Sequence, residues 1–109
     1  TPENKLGKSL ASITGWLQSA VEGSVGNTDF PAKRNATGFT AFPGGARTDV
    51  GQFIQMGIGG FWWTSTEIST NTGNAYGYSL LNNSIGISSG YASKMNGFSV
   101  RCVKDNPTK

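Results

Sequence analysis

Residues 57–67 read GIGGFWWTSTE and contain the strongest strand signal in this chain of 109 residues. Aromatic and β-branched side chains favour strands, so Phe61 to Thr66 are predicted to form one, with a turn or bulge at Gly59-Gly60. Successive strand residues point to opposite faces of a sheet, so Trp62 and Trp63 are predicted to separate, one of them into the core. The other covers a second face or lies in a binding surface, and a structural role is favoured for both.

Further strands are predicted on both sides of this segment. Residues 75–81 alternate tyrosine with small side chains, as a strand does, and end at a tight turn over residues 82–84. Residues 85–87 are predicted to return as a strand, and residues 88–96 to form a loop. Upstream, short strands are predicted over residues 39–42 and 50–58, separated by a Pro-Gly-Gly turn.

Residues 5–22 are predicted to be the only helical region. Leu6, Leu10, Ile13 and Leu17 recur at helix-like spacing. Gly7 and Gly15 interrupt that stripe, and each costs about 1 kcal/mol relative to alanine. One short helix or an irregular segment is therefore expected, with Trp16 packed inward.

The composition excludes several classes of protein. Glycine contributes 16 residues and charged residues only 14 % of the chain, which excludes a coiled coil and favours short strands with many turns. The net charge of +3 comes from scattered lysines and arginines rather than a basic stripe, so no nucleic-acid partner is predicted. The most apolar stretch, residues 53–63, is short and interrupted by glycine, so no membrane span is predicted either.

The residue types needed for catalysis and metal binding are scarce. The chain has no histidine and one cysteine, and its six acidic residues are widely separated. Histidine is the commonest general base and metal ligand, and calcium needs several converging oxygens. We therefore expect no catalytic residues, no metal and no cofactor, and the protein is not expected to be an enzyme.

Cys102 lies in the last predicted strand, residues 97–104, whose period of two places Phe98, Val100 and Cys102 on one inner face. Three interpretations of the thiol remain open. It is a small buried hydrophobe, or half of a disulfide to a cysteine outside these residues, or a reactive thiol. The first two are favoured over the third.

Three motifs in order carry a family resemblance: GFTAFPGG at 38–45, GIGGFWWTSTE at 57–67 and NGFSVRCVKD at 96–105. Together they resemble the Fibrobacter succinogenes major paralogous domain. The resemblance implies a bacterial domain that is secreted or exposed at the cell surface, with extracellular or surface localisation. It also implies an α+β, C-type-lectin-like fold with short twisted antiparallel strands, many loops and at most one short helix.

The resemblance also implies a missing part. The family's first half, with its Cys-Pro-x-Gly-Trp motif, has no counterpart here, so residues 1–109 are expected to be the C-terminal portion of a single C-type-lectin-like domain. The N-terminal half would be its partner, on the same polypeptide or as a separate chain. A cysteine in that half is the implied mate of Cys102, which is predicted to be unpaired within this chain.

A binding surface is predicted within residues 74–94, which are rich in tyrosine, asparagine and serine. Tyrosine gives rigid contact area and the small polar residues give adaptable hydrogen bonds, as in antibody loops. The predicted ligand is a protein or a carbohydrate. The candidate binding residues are Tyr76, Tyr78, Asn82, Asn83, Ser88, Tyr91 and Lys94.

Two further interpretations stay open beside this adhesin-like one. The first is a structural surface or pilus domain without a ligand of its own. The second is a variable receptor-binding protein whose sequence is diversified by a retroelement. Such diversification mutates adenines in Asn codons, and residues 69–96 are dominated by the residue types that this mutation produces. A polar, turn-rich loop region has the same composition.

Overall fold

The computed structural model describes residues 5–67 and 72–102. Its regular structure consists of one five-residue helix, one short 3₁₀ turn and five strands. These elements are α1 (Leu6–Leu10), the 3₁₀ turn (Pro31–Lys33), β1 (Ala46–Arg47), β2 (Phe53–Ile54), β3 (Gly59–Glu67), β4 (Asn74–Leu81) and β5 (Ser88–Ser93). This mixture of antiparallel strands with one short helix is compatible with the expected α+β class.

The main sheet is an antiparallel meander in the order β3-β4-β5. Trp62 lies opposite Tyr78, and Tyr76 lies opposite Tyr91. The β3–β4 register shifts between Trp63 and Glu67, which marks an irregularity in β3. On the edge of β3 that faces away from β4, Ser99 forms an isolated parallel bridge with Trp62. The Ser99 amide donates to the carbonyl oxygen of Phe61 at 2.9 Å.

The core is small and lies between this sheet and the loops before it. Its buried apolar residues are Ala11, Val25, Ala41 and Leu80, packed against by Leu10, Trp16, Phe39, Trp62 and Ile87. The indole Nε1 of Trp16 donates to both the Ser12 hydroxyl and the Ala41 carbonyl, each at 3.2 Å. The inward packing predicted for Trp16 is therefore observed.

A buried ion pair ties α1 to the loop over residues 23–29. The Lys8 side chain is 1 % exposed, and its Nζ lies 3.1 Å from Oδ1 of Asp29. Nζ also donates to the Asn27 carbonyl, and the Gly23 amide donates to Oδ2 of Asp29 at 2.7 Å. These contacts satisfy a lysine that would otherwise be costly to bury.

Several predicted elements differ from the observed ones at the N-terminal side. The helix predicted within residues 5–22 ends at Leu10, because Ala11 is extended and pairs with Ala41. The strand predicted over residues 50–58 is reduced to β2, and both of its side chains are exposed. Only Ala41 of the strand predicted over residues 39–42 takes part in a bridge.

The C-terminal side also requires corrections. The loop predicted over residues 88–96 contains β5, whereas residues 85–87 form no strand. Of the predicted final strand, Gly97 and Ser99 form isolated bridges, and residues 103–104 lie outside the described residues. The predicted inner face is wrong for Val100, which is 67 % exposed, and for Cys102, which is also exposed. The interpretation of Cys102 as a buried hydrophobe is therefore wrong.

Candidate functional site

One face of the main sheet carries three exposed tyrosines. Tyr76 and Tyr78 are two residues apart in β4 and so point to the same side of the sheet. Tyr91 of β5 lies directly opposite Tyr76, and the two rings meet edge to face with their centroids 6.2 Å apart. The exposed fractions are 42 % for Tyr76, 47 % for Tyr78 and 65 % for Tyr91.

The same face is buried at its other end. Leu80 is the next residue of β4 on this side, and it is 1 % exposed within the core. Trp62, the cross-strand neighbour of Tyr78, also packs against the core. The face thus passes from core to solvent within one strand, so β4 is anchored in the core at Leu80, two residues from Tyr78.

Hydroxyl groups surround the exposed tyrosines. A shallow depression of about 290 Å³ is lined by Thr64, Thr66, Tyr76, Gly77, Tyr78 and Ser89. The Thr64 hydroxyl donates to the Tyr76 carbonyl at 3.0 Å. We call Tyr76, Tyr78, Tyr91, Thr64, Thr66 and Ser89 the tyrosine face. None of these side chains carries a charge at neutral pH, so the surface offers aromatic stacking and hydrogen bonding.

A larger apolar groove of about 770 Å³ adjoins the tyrosine face and shares Thr64 and Tyr78 with it. Its lining also includes Leu10, Phe39, Trp62, Leu80, Val100 and Cys102. Of the described residues that line this groove, only Arg101 is charged. Its guanidinium lies 4.1 Å from the centre of the Phe39 ring, and Nη2 donates to the Phe39 carbonyl at 2.9 Å.

The comparison with known families decides the affiliation of the chain. The family model described as the Fibrobacter succinogenes major domain matches residues 4–104. The chain belongs to this family. No curated protein and no solved structure matches it. The resemblance drawn from the three motifs is therefore confirmed as a family assignment.

In this Fibrobacter major domain, the predicted binding residues do not all lie together. Three of them, Tyr76, Tyr78 and Tyr91, share the tyrosine face. Ser88 lies opposite Ser79 and points to the other face of the sheet. Lys94 follows β5 in a turn, where its amide donates to the Gly73 carbonyl at 2.9 Å.

Asn82 and Asn83 lie at the opposite end of β4 from Tyr76. The Asn82 amide donates to the Ile58 carbonyl at 2.8 Å, and its side chain donates to the Leu17 carbonyl at 3.3 Å. Its own carbonyl accepts a bond from Gly26 at 2.6 Å. Asn82 therefore connects loops of the fold, and Asn83 is exposed in the adjoining turn, away from the tyrosines.

Sequence reasoning missed Thr64, Thr66 and Ser89. The first two could have been found, because they follow Trp62 at a period of two and so share its side of β3. Ser89 could not, because it lies in a segment predicted to be a loop.

The tryptophans point to opposite faces: Trp62 packs against the core, whereas the Trp63 ring stacks on Phe98 with centroids 4.3 Å apart.

Neither a metal site nor a membrane segment is evident in the described part of the chain. Within residues 5–67 and 72–102, no three potential ligands of the His, Cys, Asp or Glu type come together. None of the helices in those ranges has the length and apolar character needed to cross a bilayer.

Proposed function

We propose that this Fibrobacter major domain is a non-catalytic, adhesin-like binding domain of a bacterial secreted or surface protein. The proposal extends to a C-type-lectin-like fold and an extracellular or cell-surface location, as the family resemblance implied. One observation carries it: three tyrosines stand exposed on one face of a sheet whose other end is anchored in the core. The ligand is a protein or a glycan.

The chemistry of the tyrosine face supports recognition of an uncharged surface. Tyrosine buries a large area while losing few rotamers, so it binds at low entropic cost. Its ring stacks on the apolar face of a sugar or on an aromatic side chain, and its hydroxyl forms hydrogen bonds. Thr66 and Ser89 add hydroxyls that both donate and accept. The Thr64 hydroxyl already donates to the Tyr76 carbonyl and offers a ligand only an acceptor. The residues that the structure describes around the depression are all uncharged.

The absence of a catalytic step belongs to the same proposal. The whole sequence lacks histidine. Among the described residues that line the depression at the tyrosine face there is no acid, lysine or cysteine. Hydroxyl groups without a neighbouring base are weak nucleophiles at neutral pH. We therefore assign the site to binding alone.

Binding is tested with a glycan array and with pull-downs from host and neighbouring-cell surfaces. For the ligand these identify, Tyr78→Ala and Tyr91→Ala are each expected to weaken binding at least tenfold, because each removes a central aromatic contact. Phe53→Ala is the matched control: it removes an aromatic ring that is 81 % exposed on β2, a strand of the separate two-stranded sheet.

Unchanged affinity in both tyrosine variants would show that the site assignment is wrong.

Self-assembly in solution with no ligand in either screen would instead favour the structural surface or pilus domain. That second candidate is supported by the large apolar side chains that stand exposed away from the tyrosine face, such as Phe53, Met56 and Val50. A retroelement-diversified receptor-binding protein would use the same tyrosine face, with Tyr76, Tyr78, Ser89 and Tyr91 inside the diversified residues 69–96.

The apolar groove is proposed to pack against the family's N-terminal half, which the resemblance names as a partner. The groove is lined mostly by apolar groups, and the exposed thiol of Cys102 lies on it. Mass spectrometry of the natural full-length protein, digested without reduction, is expected to show Cys102 bonded to a cysteine upstream of these residues. A free Cys102 thiol in the secreted protein would contradict this pairing.

A further inference from the structure

β5 forms one border of the main sheet. Its six residues pair with β4 in a regular antiparallel register from Ser88 to Ser93. Within residues 5–67 and 72–102, no strand pairs with the opposite edge of β5. That edge presents backbone groups that can accept another strand.

The hydrogen bonds of the sheet show which groups face outward. The Trp63 amide donates to Ser99, away from β4, so Gly77, the residue opposite Trp63, directs its backbone groups to β5. Gly77 pairs with Gly90, so the backbone amide and carbonyl of Gly90 point toward β4. Backbone direction alternates along a strand, so Ser89, Tyr91 and Ser93 turn their amides and carbonyls outward. Of these groups, the Ser93 carbonyl also accepts a turn hydrogen bond from the Asn96 amide at 3.1 Å.

This edge lacks the usual protection against pairing. Natural edge strands carry charges, prolines or bulges that prevent it. The sequence of β5, SSGYAS, contains no charged residue and no proline, and its register with β4 has no shift. A Cβ added at Gly90 would have no atom within 4 Å. A neutral strand with open surroundings does not repel a second copy of itself.

We propose that β5 pairs antiparallel with β5 of a second copy of this chain, about a two-fold axis at Tyr91. The three outward residues are symmetric about Tyr91, so this register sets Ser89 opposite Ser93 of the second copy, and the reverse. Tyr91 then exchanges two backbone hydrogen bonds with Tyr91 of the second copy, at a Cα separation of about 5.5 Å. Isologous two-fold contacts of this kind are the commonest form of homodimer.

The pairing completes the tyrosine face. Tyr91 points to the same side of the sheet as Tyr76 and Tyr78, so the two tyrosine faces become one surface on a six-stranded sheet, with the two Tyr91 rings at its centre. Self-pairing itself does not require a ligand. Only the consequence that the ligand contacts both copies rests on the proposed function.

The first test is sedimentation velocity from micromolar to millimolar concentration. The unmodified chain is expected to show a concentration-dependent dimer, and Ser89→Pro is expected to be monomeric. Ser89→Pro removes an outward amide, a position at which an edge strand tolerates proline. Tyr91→Lys, which sets like charges opposite each other, is expected to prevent pairing as well. Val50→Lys adds the same charge at a 76 % exposed site in the loop between β1 and β2 and should still dimerise.

The second test fixes the register by oxidative cross-linking in a Cys102→Ser background. Tyr91→Cys is expected to form a covalent dimer, because its Cα separation of about 5.5 Å suits a disulfide. Ser89→Cys should not, since the register places it opposite Ser93. A chain that stays monomeric at every concentration would overturn the proposal, and so would a dimer that survives Ser89→Pro. If Tyr78→Ala abolished ligand binding but still formed the β5 dimer, the proposed binding function and the proposed self-pairing would be shown to be independent.

Discussion

Gly60→Ala is expected to lower the free energy of unfolding by about 1–3 kcal/mol, the usual cost of overpacking a core. A Cβ at Gly60 would lie 2.3 Å from Cη2 of Trp62 and 2.8 Å from the Phe42 carbonyl oxygen. Displacing the Trp62 ring would disturb its packing against the core. The Phe42 carbonyl oxygen is a backbone group and accepts from the Gly44 amide at 2.9 Å. Urea denaturation monitored by circular dichroism measures the change.

Gly90→Ala is the matched control for this prediction. It makes the same substitution in the same sheet, but its Cβ meets no atom within 4 Å. Its stability should stay within about 0.5 kcal/mol of the unmodified chain, as is usual for surface substitutions. Equal stability of Gly60→Ala and Gly90→Ala would show that Trp62 does not pack over Gly60 as described.

Asp29→Asn is expected to lower the melting temperature at neutral pH by several degrees, because it leaves the buried Lys8 ammonium without its anion. Partial desolvation raises the pKa of Asp29. The Gly23 amide and Lys8 outweigh that effect and hold the pKa below its ordinary value of 3.8. A depressed folded-state pKa stabilises the fold above about pH 3.8, and this stabilisation is lost as the pH falls through the folded value.

The melting temperature of the unmodified chain should therefore fall as the pH drops below about 3.8, and Asp29→Asn should show a smaller fall. Thermal melts across this acid range measure both slopes. Asp49→Asn is the control, because it neutralises an acid that is exposed. If Asp49→Asn changed the melting temperature and its pH dependence as much as Asp29→Asn, the ion pair would not have the assigned role.

The strands β3 and β4 were predictable because their residues carry the signal themselves. Aromatic and β-branched side chains fill β3, and tyrosine alternates with small residues in β4. β5 was not predictable, since serine and glycine favour turns and its strand conformation depends on pairing with β4. The helix ended early for a similar reason, because Ala11 pairs with Ala41, which is distant in sequence.

The candidate site was predictable in its aromatic part only. A period of two along β4 placed Tyr76 and Tyr78 on one face, and composition drew attention to Tyr91. The register that unites Tyr91 with Tyr76, and that turns Ser88 away, is a property of the folded sheet. Asn82 was selected for its residue type, whereas its hydrogen bonds to Ile58 and Leu17 give it a structural role.

The most direct test of the proposed function is a residue-resolved map of amide chemical-shift changes on adding the identified glycan or protein. The largest changes are expected at Thr64, Tyr76, Tyr78, Ser89 and Tyr91, with β1, β2 and residues 23–29 unchanged. Changes concentrated on β1 and β2, or confined to Asn82, Asn83 and the neighbouring loops, would contradict binding through the tyrosine face.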